Sequence, residues 1–251
     1  MTDILLHGCN GRMGQMIAGL LKEDSEARIV AGVDAYTGIE NPFLVFSRIS
    51  DCDVKADVVI DFSNAGAADA LLDWCVSTKT PVVLCTTGLS PEQLERVEEA
   101  AKETAVLKSA NMSVGINLLL KLLKEAAPTL AAAGFDIEIV EKHHNQKLDA
   151  PSGTALALAD AINEASDGVY TYVYDRSQVR QKRGSRELGI SAVRGGTIVG
   201  DHDVIFAGTD EVITFEHRAY SRAVFGKGAI QAAKFLAGKP AGRYDMSDVI
   251  G

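Results

Sequence analysis

Through its first hundred residues the chain alternates compact apolar runs with stretches whose apolar positions recur every three or four residues. Runs at 4–7, 28–33, 58–62, 81–85 and 106–109 are short, bounded by polar or glycine residues, and predict strands buried on both faces. The stretches at 12–22, 65–76 and 90–102 between them predict crossover helices. Ser90-Pro91-Glu92-Gln93 marks one helix start, with an N-cap, a proline at the first helical position and a capping-box glutamine. This order predicts an α/β, doubly wound parallel sheet. After Asn111 the rhythm changes: a helix at 114–127, a strand at 137–141, a helix from about Thr154, then strand patterns at 170–174, 188–193, 197–206 and 211–217. Successive strands without intervening helices predict a mixed or antiparallel sheet, hence a second, α+β domain. A last helix at 223–236 can return to the first. The expected division is 1–113, completed by 223–251, and 114–222, with hinges near 112–114 and 221–223.

A net charge of −9 excludes a general nucleic-acid binder, because phosphate backbones are held by basic stripes. No apolar run is long enough to span a bilayer, and the opening Met-Thr-Asp-Ile-Leu-Leu-His lacks the order of a secretion signal, so a cytoplasmic protein without membrane partners is expected. Cys9, Cys52, Cys75 and Cys85 form no C-x-x-C pair and no zinc spacing; they are read as reduced and structural, and no metal site is expected. Residues 176–186, RSQVRQKRGSR, concentrate basic side chains. They read as a solvated loop, or as a lid that attracts an anion.

The stretch HGCNGRMG at 7–14 follows a strand and opens a helix, with Gly8, Gly11 and Gly14 at G-x-x-G-x-x-G spacing. Glycine lets the backbone approach a pyrophosphate, whose charge then meets unpaired N–H groups at the positive helix end. Asp34 ends the second strand about twenty residues on, where a carboxylate can accept from adenosine ribose hydroxyls. CTTG at 85–88 and SANMSVG at 109–115 follow later strands and edge the same carboxyl-end crevice. Together these predict a Rossmann-like dinucleotide site. Asp34 would repel a 2′-phosphate and Ala35 and Tyr36 supply no cation, so NADH is expected to be preferred over NADPH, with Arg12 the basic residue able to reach such a phosphate.

In EKHHNQKLDAPSGTA, residues 141–155, His143, His144 and Lys147 stand just before a helix start. Proline biases Ala150 away from helix, Ser152 can cap, and Gly153 with Thr154 leaves a small-residue mouth with a hydroxyl. Such a mouth can hold a carboxylate, and the histidines and lysine can deliver a proton. Glu141 and Asp149 add no metal-ligand spacing.

The segment closely resembles the signature E-x-H-H-x-x-K-x-D-x-P-S-G-T-A of the 4-hydroxy-tetrahydrodipicolinate reductases (dihydrodipicolinate reductases) of diaminopimelate and lysine biosynthesis. HGCNGRMG, VIDFS, TTG, NMSVGIN, RGGTIVGDH and DMSDVI extend the resemblance over nearly the whole chain. It implies His143 as catalytic acid/base, Lys147 as proton donor, and His144, Gly153 and Thr154 as groups that bind a small dicarboxylate. It implies cofactor contacts at Gly8, Cys9, Asn10, Gly11, Arg12, Met13, Asp34, Thr86, Thr87, Ser109, Ala110, Asn111 and Met112, and a homotetramer. Cys85 stands where the family usually has glycine, and Ser109 where it usually has alanine. The basic residue that often follows the acidic one in NADPH-using members is absent, in keeping with NADH.

Hydride addition to a cyclic imine creates negative character that a proton must quench, and either His143 or Lys147 could supply it. Two other readings share the scaffold: a nicotinamide-dependent reductase of another small carboxylate, and a nonenzymatic NADH sensor, which leaves His143 and Lys147 without a task.

Overall fold

The computed structural model describes every residue except Gln178 and Val179. The chain forms two compact units, Met1–Ser113 with Ala223–Gly251, and Val114–Arg222.

In the first unit, β1 (Thr2–His7), β2 (Ala27–Val33), β3 (Leu44–Phe46), β4 (Val58–Asp61), β5 (Val82–Leu84) and β6 (Ala105–Leu107) lie parallel. Ile4, Leu5 and Leu6 of β1, and every residue of β4, β5 and β6, are buried, the burial expected where helices cover both sheet faces. The crossovers are α1 (Arg12–Leu21), α2 (Ala65–Thr78) and α3 (Pro91–Ala101). Ser90 and Gln93 close the predicted capping box: the Ser90 hydroxyl accepts from the Gln93 N–H at 3.2 Å, and the Gln93 side chain accepts from the Ser90 N–H at 3.1 Å.

The second unit opens with α4 (Val114–Ala132), which continues past Pro128, where the pattern predicted an end. Leu130, beyond the proline, packs on the core of this unit, so burial offsets the hydrogen bond that proline cannot make. β7 (Asp136–His143), α5 (Gly153–Ala165), β8 (Thr171–Val173), β9 (Glu187–Arg194), β10 (Gly200–Ala207) and β11 (Val212–Ala219) follow. The sheet is mixed, in the order β11-β10-β7-β9-β8, with β7, β9 and β8 mutually parallel and β10 antiparallel to both its neighbours. Side chains of α4 and α5, including Leu123 and Leu158, pack with Ile137, Ile139, Val204 and Phe206 of the sheet.

The chain then returns to the first unit as α6 (Ala223–Leu236), β12 (Gly242–Tyr244) and α7 (Met246–Ile250). β12 joins the edge, giving the order β12-β6-β5-β4-β1-β2-β3. The hydrophobic pattern predicted neither β3 nor β12: each has three residues and little burial, too little for a period to register.

The loop at 176–186 is tied down where it is described. Arg183 pairs with Asp136 at 2.8 Å and Glu138 at 2.9 Å, and Arg176 pairs with Glu187. Gln178 and Val179 of the expected solvated loop or lid lie outside the described residues.

At the glycine turn, helix α1 approaches the backbone so closely that a Cβ on Gly14 would stand 2.2 Å from the Gly8 carbonyl oxygen. Gly14→Ala is expected to destabilise the fold by about 1–3 kcal/mol, the range for overpacking a close contact. Chemical denaturation reads this directly, and an unchanged midpoint would show that the turn can yield.

Candidate active site

In the first unit, β1 ends at His7 and the chain turns at Gly8, which adopts φ +80° and would place a Cβ 2.6 Å from the Phe62 carbonyl oxygen. Only glycine meets both demands. Gly11 caps α1 without a side-chain hydrogen bond, which leaves the first N–H groups of the helix to a ligand. Asp34 follows β2; its carboxylate accepts from the Asn10 N–H and from the Tyr36 N–H, each at 2.9 Å. These bonds link the acidic side chain to the turn. A cleft of about 930 Å³ runs along this edge, lined by Gly8, Gly11, Asp34, Arg48, Ser63, Ala67 and Trp74 among others. An uncapped helix mouth, a glycine cradle and a held carboxylate fit the pyrophosphate and ribose of a pyridine nucleotide.

Beneath this edge lies a buried network that the sequence did not disclose. Asp61 ends β4 opposite His7, accepts from its Nδ1 at 2.7 Å and from the Ser63 and Thr86 hydroxyls at 2.6 Å each. Burial pushes the Asp61 carboxyl up, but His7 and the two hydroxyls prevail and hold it below the usual range.

In the second unit, strand alternation positions the chemistry. Ile137, Ile139, Glu141 and His143 all face the buried side of β7. The register sets His202 of β10 opposite Glu141, His217 of β11 opposite His202, and Arg194 of β9 opposite His143. Fully buried Glu141 accepts two bonds from Arg194 at 2.7 Å each, one from His143 Nδ1 at 2.6 Å and one from the Ser152 N–H at 2.9 Å. The Ser152 hydroxyl caps α5, accepting from the Ala155 N–H at 3.2 Å, and meets His202 Nε2 at the same distance. The rings of His143 and His202 meet edge to face, with centroids 5.2 Å apart.

Burial raises the Glu141 carboxyl, but Arg194, His143 and the Ser152 N–H together hold it below its ordinary value. Burial lowers His143 more than Glu141 raises it. An ionised Glu141 beside a neutral His143 requires the proton on Nδ1, so Nε2 offers a lone pair. Lys147 Nζ pairs with Asp149 Oδ1 at 2.8 Å, and the Asp149 carboxylate also takes the Gly153 N–H. The Asp149 carboxylate therefore already rests on Lys147, which the resemblance gives as proton donor, and on Gly153, which it gives as a dicarboxylate contact.

Two family models match the chain: "Dihydrodipicolinate reductase, N-terminus" over residues 2–112 and "Dihydrodipicolinate reductase, C-terminus" over residues 115–250. The chain belongs to the dihydrodipicolinate reductase family. It is 55% identical over 250 residues to the 4-hydroxy-tetrahydrodipicolinate reductase of Caldanaerobacter subterraneus subsp. tengcongensis, covering 100% of this chain and 98% of that one. The enzyme of the same name from Clostridium tetani is 50% identical, over 98% of this chain and 96% of its own. A solved structure of a dipicolinate-bound dihydrodipicolinate reductase from Paenisporosarcina sp. TG-14 shares the fold, with a TM-score of 0.78, 24% identity, and coverage of 98% of this chain and 97% of that one.

In this member of the dihydrodipicolinate reductase family, the residues expected at the cofactor divide into groups. Gly8, Gly11 and Asp34 line the cleft. The Cys9 side chain is fully buried, with its thiol pushed up to about 11 by burial, first, and by Asp34. Asn10 is half-buried and bonded to Asp34 and Tyr36, Met13 is half-buried, and Arg12 is exposed on the first turn of α1. Thr86 spends its hydroxyl on Asp61 and its backbone carbonyl accepts from Lys108 Nζ at 3.2 Å, while Thr87 is exposed. Ser109, Ala110 and Asn111 follow β6 with buried Met112, outside the lining of the cleft. Among the second-unit residues, His143 is buried in the Glu141 network, His144 accepts the Gln146 N–H at 3.2 Å, and Gly153 and Thr154 open α5. Sequence reading missed Arg194 and His202, whose partners lie more than forty residues away. The alternation of β7 was the available signal that Glu141 and His143 share a face. Among the described residues no group of three or more His, Cys, Asp or Glu could hold a metal ion, and no helix is long and apolar enough to cross a membrane.

His202 supplies a pH test. Burial, then the neighbouring His143, lowers it to about 4, whereas the unfolded side chain titrates near 6.5. Between those values the unfolded chain binds the proton that the folded one refuses, so stability falls as the pH drops through this window, by roughly 3 kcal/mol in all. Urea midpoints measured from pH 7 to pH 4 should show that slope, and His202→Gln should flatten it. An equal slope in both proteins would place the proton uptake elsewhere.

Proposed function

We propose that the protein reduces 4-hydroxy-tetrahydrodipicolinate to tetrahydrodipicolinate with loss of water, using a reduced pyridine nucleotide. Membership of the reductase family supports the reaction, and the joining of Lys147 and the Gly153 N–H at one carboxylate is the single observation that carries the site. The first unit holds the nucleotide through the Gly8–Gly11 turn and Asp34. Bound there, the nucleotide supplies the hydride. In the second unit a substrate carboxylate takes the place of Asp149 at the mouth of α5, against Gly153, Thr154 and Lys147, with His144 alongside.

Loss of water leaves a conjugated imine, and reduction leaves negative charge that a proton must quench. His143 is held neutral, its Nδ1–H on Glu141, so it serves best as an acceptor that shapes the pocket. Lys147, an ammonium with three donors, is the proton donor in this reading. Copies of the chain assemble as the homotetramer that the resemblance implies, through the face of the mixed sheet away from α4 and α5; sedimentation equilibrium counts the subunits.

With substrate generated in place from pyruvate and aspartate semialdehyde by its synthase, the protein should oxidise NADH only when the synthase is present. Lys147→Ala should lower kcat by about 10²-fold or more, the usual worth of general acid catalysis, with little change in nucleotide affinity. A near-normal kcat would remove Lys147 from the role. NADH bound without oxidation would favour the sensor or a different substrate.

Asp34 also sets the expected cofactor choice. Its carboxylate is fixed by two backbone N–H groups and, at a bound ribose, would repel a 2′-phosphate, so kcat/KM should favour NADH over NADPH. A clear preference for NADPH would contradict this reading.

A further inference from the structure

The cleft of the first unit does not end at Asp34. The Asp34 N–H donates to the Phe46 carbonyl at 3.0 Å, and Val33 is paired with Phe46 in the β2–β3 register, so residues 47–50 start directly beside the carboxylate. Ser47, Arg48, Ile49 and Ser50 form one wall of the cleft here, and Ala67, Ala70 and Trp74 of α2 form another. With a pyrophosphate at Gly8–Gly11 and a ribose at Asp34, the base attached to that ribose has this arm to occupy.

Arg48 is the cation of that arm. Its Nε and one terminal nitrogen each donate to an Asp51 oxygen at 3.0 Å. The two-point fork fixes the plane of the guanidinium, although three-quarters of the side chain is exposed. A free guanidinium would offer its donors to a phosphate. One already engaged with a carboxylate offers mainly its flat face, and that carboxylate would repel a second anion. Small alanines and an indole on the α2 side leave room for a planar ring.

Resting on the nucleotide reading above, we propose that Arg48 covers the adenine ring of the bound nucleotide, with Asp51 holding the guanidinium flat over it. The contact involves the base alone, so it serves NADH and NADPH alike, whereas Asp34 discriminates between them.

Trp74, the only tryptophan of the chain, lines the same arm and reports occupancy by fluorescence without turnover. Wild type should respond to NADH, NADPH and ADP-ribose, the last of which carries adenine but no nicotinamide. Arg48→Ala should weaken all three by a common factor of about tenfold, in the range of a cation over a partly desolvated ring. Asp51→Asn should weaken them by less, because the guanidinium stays but is held more loosely. Matching melting curves would show that both variants are folded. Unchanged dissociation constants in Arg48→Ala, or a loss confined to NADPH, would overturn the proposal; the latter would make Arg48 a phosphate reader. Wild type that binds none of the three would overturn the nucleotide reading itself.

Discussion

A single ionised carboxylate organises the second unit. Glu141 is wholly buried, and an unpaired charge there would cost several kcal/mol. Its four hydrogen bonds come from β9, from its own strand and from the mouth of α5, so satisfying it fixes three pieces of structure together. The orientation of the His143 ring and the position of the Ser152 N–H are consequences of that requirement. Arg194 extends it further, donating to the Asp149 carbonyl at 2.6 Å and so tethering the loop that carries Lys147. The loop that carries Lys147 is thus held at both ends by one buried charge.

The first unit solves a similar problem with a different carboxylate. Asp61 draws the ends of β1, β4 and β5 together through His7, Ser63 and Thr86. Parallel strands end in unpaired backbone groups, and open sheets place their ligands there. A buried acid tied to hydroxyls and an imidazole stiffens that edge while the start of α1 stays without a side-chain cap. The glycines make the approach of a ligand possible, and the acid beneath keeps the approach the same each time.

The parallel sheet and its helices were legible because β1, β4, β5 and β6 carry uninterrupted apolar runs and Ser90 to Gln93 spell out a cap. His143, Lys147 and Gly153 were legible because they are neighbours in the chain, so local spacing carried their relation. Arg194, His202 and Asp61 were not, because each meets its partner through strand register, and register depends on the whole sheet. β3 and β12 escaped notice for a simpler reason: a three-residue edge strand buries too little to leave a period. Pro128 misled in the opposite direction, since a proline that normally stops a helix lies here in one whose far side, at Leu130, is buried.

The first unit is assembled from two separated stretches of chain, and β6 finds its outer neighbour, β12, only near the carboxyl end. A ribosome therefore releases the contiguous Val114–Arg222 unit in full before the nucleotide unit has its last strand and helices. Until residues 223–251 emerge, the edge of β6 is open and the surface that α6 covers is bare, the two features most inviting to a wrong neighbour. The vulnerable period in the life of this protein is the interval between the sixth strand of that sheet and its seventh.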